Sequence, residues 1–167
     1  ISSTNGGVNW SANDLRRIDN AINPALAINC LGELAFSYQR LVSGNWQTIV
    51  ERTTNDFATT ATTTLNTFPD GTPASTFLPY LGDYACLTAM PSGKDFCGVF
   101  SASNNPNPAN FPAVQPLWQR NVNTATNQLR NLTNTSNVNV SIDPFFYRIS
   151  PLNIDQDFYV RDWTNSS

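Results

Sequence analysis

Ser3-Thr4-Asn5-Gly6-Gly7-Val8-Asn9-Trp10 is the stretch on which the fold reading turns. It follows the pattern S-x-D-x-G-x-x-W, with Asn5 in the place of Asp. The physics is local. Short polar side chains, Ser3 and Asn5, bond back to the amides of a tight turn. Gly7 takes a positive φ without steric cost. Trp10 is expected to plug the hairpin with its ring, so truncating it should cost about 3–5 kcal/mol, as for other buried large aromatics. A weaker version, Thr53-Thr54-Asn55-Asp56-Phe57, follows later in the chain. Both are read as turns of a β protein and not as catalytic elements.

Working outward, short apolar or alternating runs recur. Ala25 to Ile28 and Gly32 to Tyr38 read as strands joined at Asn29-Cys30-Leu31. Asn45 to Arg52 alternates, and Thr62 to Phe68 is Thr-rich and amphipathic. Pro69-Asp70-Gly71-Thr72-Pro73 is strong turn chemistry, since Pro presets φ and Asp-Gly favours reversal. Tyr84 to Met90 and Asp95 to Ser101 form a further hairpin. A polar loop, Ser103 to Pro112, precedes Leu117 to Val122, Gln128 to Leu132 and Asn139 to Tyr147. Ala12 to Asn20 has the character of a helical turn. Short strands at regular spacing predict an antiparallel all-β protein. Grouped in fours they have the size of β-propeller blades, and periodicity alone leaves a β-sandwich open.

Composition agrees. Of 167 residues, 22 are Asn and 18 are Thr, which favour turns and strands respectively. Two Glu, one Lys and one Met leave few helix formers. There is no His, which removes His-based acid–base catalysis and most zinc or haem sites. No cofactor and no metal is expected. Asp155, Asp157 and Asp162 cluster near the end, without the Gly and Glu of a calcium loop. The net charge of −3 and the absence of a basic run speak against nucleic acid as a partner. No apolar stretch approaches the ~20 residues of a membrane helix. Asn9, Asn131, Asn134, Asn139 and Asn165 lie in glycosylation sequons. Low Lys with much Asn and Thr suggests an extracellular or cell-surface location. Ile1 is not a start Met, and a processed or excerpted product is expected.

Cys30, Cys86 and Cys97 are odd in number, so at least one is free or pairs outside the chain. Cys86 and Cys97 flank Met90-Pro91-Ser92-Gly93. They are either a disulfide across a hairpin or two buried thiols.

The Ser3–Trp10 motif resembles the Asp box of sialidase-like (BNR-repeat) β-propellers. There it links the third and fourth strands of a blade. Asn23 to Ile28, Phe77 to Tyr84, Gly98 to Ala102 and Val140 to Phe146 are similar to the last blades of bacterial members. Phe158 to Thr164 looks like the opening of a further segment. The resemblance implies an incomplete portion of a larger propeller. Residues 1–21 end a preceding blade with its Asp-box turn, 22–76 form a blade, 77–149 form a blade with a long Pro/Asn loop, and 150–167 are a tail or the next segment. The implied partners are the remaining blades or chains of the same protein, and glycan.

Sialidases of this kind use an Arg triad, a Tyr–Glu nucleophile pair and an Asp acid. None is placed in this chain, and no catalytic residue is assigned. Tyr147-Arg148-Ile149-Ser150 resembles the family's Tyr/Phe-Arg-Ile-Pro motif, with Ser for Pro. Glu33 is either a group on a propeller strand near the axis or a solvated strand or loop carboxylate, and the second reading is favoured. Asp83 and Tyr84 either bind sugar hydroxyls or lock a turn. Tyr80, Tyr84 and Trp118 either stack on sugars or pack internally. The leading expectation is a non-catalytic propeller portion that binds carbohydrate or acts as a scaffold. The alternatives are a fragment of a glycoside hydrolase with its catalytic residues elsewhere, and an assembly module pairing through blade edges.

Overall fold

A computed structural model describes residues 1–91, 93–112, 117–118, 122–123, 126–131 and 133–152. The fold is all-β and antiparallel. The strands are β1 (Ala21–Ile28), β2 (Leu34–Val42), β3 (Asn45–Thr53), β4 (Ala61–Pro69), β5 (Cys86–Ala89), β6 (Phe96–Ser103), β7 (Leu117–Trp118), β8 (Val122–Asn123), β9 (Gln128–Leu129) and β10 (Ile142–Ile149). A 3-10 turn spans Pro108–Asn110. No helix forms at Ala12 to Asn20. The run expected at Leu117 to Val122 is divided between β7 and β8, with β8 pairing β9.

Sheet I is a simple meander, β1-β2-β3-β4. Ser43 and Gly44 join β2 to β3, both at positive φ, and Val42 faces Asn45 across the ladder. That is the two-residue turn whose twist matches the flanking strands. Sheet II has the order β5-β6-β10-β7. Its second and third strands pair in full register from Phe96↔Ile149 to Ser103↔Ile142, although residues 104–141 separate them in sequence. The neck of this excursion is clamped. Asn104 donates its amide N–H to the Ser141 carbonyl at 2.9 Å and accepts the Ser141 N–H at 2.8 Å. Asp143 accepts from Asn104 Nδ2 at 2.8 Å and from Ser141 Oγ at 2.7 Å.

Both Asn turns have one hydrogen-bond pattern. In the first, Ser3 Oγ accepts the Gly7 N–H at 2.8 Å and Asn5 Oδ1 accepts the Asn9 N–H at 2.9 Å. In the second, Thr53 Oγ1 accepts the Phe57 N–H at 3.1 Å and Asn55 Oδ1 accepts the Thr59 N–H at 3.0 Å. The second turn joins β3 to β4. The central pair is Gly6-Gly7 in one and Asp56-Phe57 in the other, all at positive φ. The expectation for Trp10 is corrected: the indole is 59% exposed. Residues 1–20 contain no strand against which it might pack.

One face of sheet I packs on one face of sheet II. Strand alternation places Ala35, Ser37 and Val50 on the same side of sheet I, with Ala25 and Ala27 beside them on β1. These small residues admit the bulky face of sheet II: Leu87, Phe96, Phe100, Phe145, Tyr147 and Ile149. Phe100 stacks on Phe145 with centroids 5.6 Å apart. Gly98 is required beneath Tyr147. A Cβ there would collide with the Cys86 carbonyl oxygen and the Tyr147 ring. Polar bonds also cross the interface. Buried Gln39 donates to the Ser101 carbonyl at 2.8 Å and to Thr48 Oγ1 at 3.0 Å, and accepts from Asn23 Nδ2 at 2.8 Å.

The three cysteines are free. Register is the reason at the β5–β6 hairpin. Cys86 faces Val99 and Cys97 faces Thr88, so the two thiols are diagonal neighbours. Diagonal Cα separations of about 7–8 Å exceed what a disulfide usually spans.

Candidate functional site

Three of the candidate ligand residues, Tyr80, Asp83 and Tyr84, lie in the connection between β4 and β5. This connection is tied down internally. Trp46 Nε1 donates to Asp70 Oδ1 at 2.8 Å, and Tyr80 donates its hydroxyl to the Pro73 carbonyl at 2.6 Å. The Tyr80 ring also lies near Phe68, with centroids 6.5 Å apart. Burial, then the Asp70 charge, push the Tyr80 hydroxyl pKa up. Tyr80 is thus a packing residue that shapes the connection.

Asp83 and Tyr84 follow, both exposed, with Tyr84 at 84%. The turn before them is locked by other groups. Gly82, at φ 69, donates its N–H to the Pro79 carbonyl at 2.9 Å, and its own carbonyl accepts Asn23 Nδ2 at 3.1 Å. Phe77 and Leu78 of the same connection are also exposed. An accessible aromatic ring next to a carboxylate suits apolar stacking together with hydroxyl recognition. Trp118 lies on β7, its backbone paired with Phe146. Asp155, Asp157, Asp162, Asn165 and the Phe158 to Thr164 stretch lie outside the described residues.

The acids with the most elaborate surroundings are in the sheets. Glu33 is corrected from solvated to buried. Its Oε2 accepts the Leu152 N–H at 3.0 Å, while Oε1 has no partner. Arg52 lies on the neighbouring strand and donates Nη1 to the Ser150 carbonyl. Burial lowers the Arg52 pKa, against the raising effect of Glu33. Sheet II repeats this plan in closed form. Asp95, one residue before β6, receives Arg148 Nε at 2.7 Å, with Nη2 on the same oxygen. The Tyr-Arg-Ile-Ser stretch therefore supplies a structural ion pair.

A Tyr–Glu pair does exist, and the sequence reading missed it. Tyr38 donates its hydroxyl to Glu51 Oε1 at 3.0 Å. Arg16 grips the same carboxylate with Nε and Nη2, each at 2.6 Å. Tyr38 and Glu51 are both buried. Burial, then the Glu51 bond, push the phenol up to about 12. Burial pushes Glu51 up as well, but the Arg16 and Tyr38 bonds outweigh it and hold the carboxyl below its usual range. A phenol held protonated beside a fully engaged carboxylate is poorly suited to attack. This cluster anchors residues 1–20 to sheet I. In sequence it showed only as Arg16-Arg17 and an alternating strand, with nothing to link them.

Among the described residues no group of three or more His, Cys, Asp or Glu is placed to hold a metal ion, and no helix is long and apolar enough to cross a membrane. Comparison with known protein families, curated proteins and solved structures gives no match.

Proposed function

We propose that the chain is a non-catalytic portion of a sialidase-like propeller, serving outside the cell as a scaffold with a carbohydrate-binding surface. The observation that carries this reading is the repeated Asn turn. Its second copy connects the third and fourth strands of a four-stranded antiparallel sheet, where the family's Asp box belongs. Binding rather than turnover is supported by the engagement of the acids. Glu33, Glu51 and Asp95 are buried on Arg or backbone partners, whereas Asp83 and Tyr84 are open to solvent. Its structural partners are the remaining blades or further chains of the same protein.

The test is to assay the purified 167-residue chain against fluorogenic sialosides and a glycan array. The expected result is no turnover, with weak glycan binding that Tyr84→Ala removes and Tyr80→Phe leaves intact. Turnover abolished by Asp83→Asn or Glu33→Gln would overturn the non-catalytic reading. Silence on the array would remove the carbohydrate part.

A further inference from the structure

The two sheets share one plan, so each face of one has an equivalent on the other. In sheet II, Leu87 faces Gly98 across β5–β6 and is buried against sheet I, at 7% exposure. Its equivalent in sheet I is Leu26, which faces Phe36 across β1–β2. Leu26 is 61% exposed, and Ile28 beside it is equally open. Arg16 covers the β3 end of this face by gripping Glu51, and the β1 end stays bare. On this face of sheet I, Tyr38, Ile49 and Glu51 are buried, and the open part is the β1 strip at Leu26 and Ile28, the counterpart of the Leu87 strip that sheet II presents to sheet I.

The complementary surface is also open, at the opposite end of the molecule's sheet order. The side of sheet I that receives sheet II is built from Ala25, Ala27, Ala35, Ser37 and Val50. Its equivalents in sheet II are Cys86, Thr88, Cys97, Val99 and Phe146, set by the pairings Cys86↔Val99, Thr88↔Cys97 and Phe146↔Val99. Cys86, Thr88 and Val99 are exposed. They are small residues of the type that admits a Leu-bearing face.

We propose that copies of this chain associate head to tail, the Cys86–Val99 face of sheet II in one copy receiving the Leu26–Ile28 face of sheet I in the next. The contact repeats between chains the β1–β5 part of the packing present within each chain. Such a heterologous contact leaves one free face at each end, so association continues until the rotation closes a ring or grows a filament. The contact does not depend on carbohydrate binding, and loss of the glycan signal leaves it standing.

Light scattering coupled to size exclusion tests it over a range of concentrations of the 167-residue chain. The mass is expected to rise with concentration in whole multiples of the chain. Leu26→Glu and Val99→Glu should each return the single-chain mass, because either removes one half of the contact. Mixing the two variants in equal amounts should restore a dimer and nothing larger, since one keeps its tail face and the other its head face. Ile28→Lys and Cys86→Glu repeat the test at neighbouring exposed positions, with thermal melting to establish folding. A single-chain mass at every concentration overturns the proposal, whatever else covers these faces. Association that both variants retain, or a mixture that stays monomeric, overturns it equally.

Discussion

Sheets I and II solve the same packing problem with different local parts. Between their second and third strands, sheet I has Ser43-Gly44 and sheet II has residues 104–141. One acid before the second strand faces one Arg on the third in both. In sheet II, Asp95 and Arg148 close on each other. In sheet I, Glu33 and Arg52 instead hold the chain at Leu152 and Ser150. Sheet II also replaces the ring of Phe36 with Gly98, making room for Tyr147 where sheet I has Glu51. The difference teaches that the ladder tolerates a long insertion when its neck is hydrogen-bonded. Loop closure entropy grows only slowly with length.

The largest expected break is at Gly98. Gly98→Val should cost about 3 kcal/mol or more, the upper end for overpacking, because the rigid Cys86 backbone and the Tyr147 ring leave no space. Phe36→Val, the equivalent change in sheet I, should cost less, since Phe36 is half-buried. Urea unfolding of both variants measures the gap.

Next comes the ion-pair contrast. Arg148→Ala removes both guanidinium bonds from the buried Asp95 carboxylate and should cost about 2 kcal/mol, reduced from the full buried-pair value because Arg148 is partly exposed. Arg52→Ala removes a bond to a carbonyl and should cost about 1 kcal/mol. Equal losses in denaturant titrations would show that the two pairs are not functionally distinct.

Acid should weaken the Arg16–Glu51–Tyr38 cluster of sheet I. Glu51 has its folded pKa held below the ordinary value of 4.5, so its contribution is present above that pH and is lost as pH falls through the folded pKa. The effect is moderated by the partial exposure of Arg16. Tyr38 adds the opposite limb, lost as pH rises from 10.0 through about 12. Unfolding midpoints across these two windows should shift less in Glu51→Gln than in the parent chain. An unchanged acid limb in that variant would remove Glu51 as its source.

The two Asn turns provide the smallest effects. Asp56→Gly relieves a left-handed Asp at φ 54 and should gain about 0.5 kcal/mol, the steric relief less glycine's added chain entropy. Gly7→Ala should weaken protection of the Asn9 amide in hydrogen exchange without changing global stability, because the 3–9 turn lies outside both sheets. Trp10→Ala should cost under about 1 kcal/mol, far below a buried aromatic.

Much was legible locally. The β3–β4 hairpin follows from strand patterning and the Thr53 to Phe57 turn residues within Asn45 to Phe68, because both signals act within a few residues. The Ser/Thr-x-Asn turns were readable for the same reason: a short side chain reaches only nearby amides. The all-β class follows from Thr and Asn content with few helix formers. Tertiary structure alone decided what long-range pairing controls. β6 meets β10 across residues 104–141, a partnership that no local pattern encodes. Glu33 is buried because the chain after β10 returns to cover it, and Trp10 is exposed because residues 1–20 form no strand beside it. Glu51 is not a surface strand carboxylate, because Arg16 arrives from outside the sheet. Burial depends on which surfaces meet in space, and a single sequence specifies those meetings only through the complete fold.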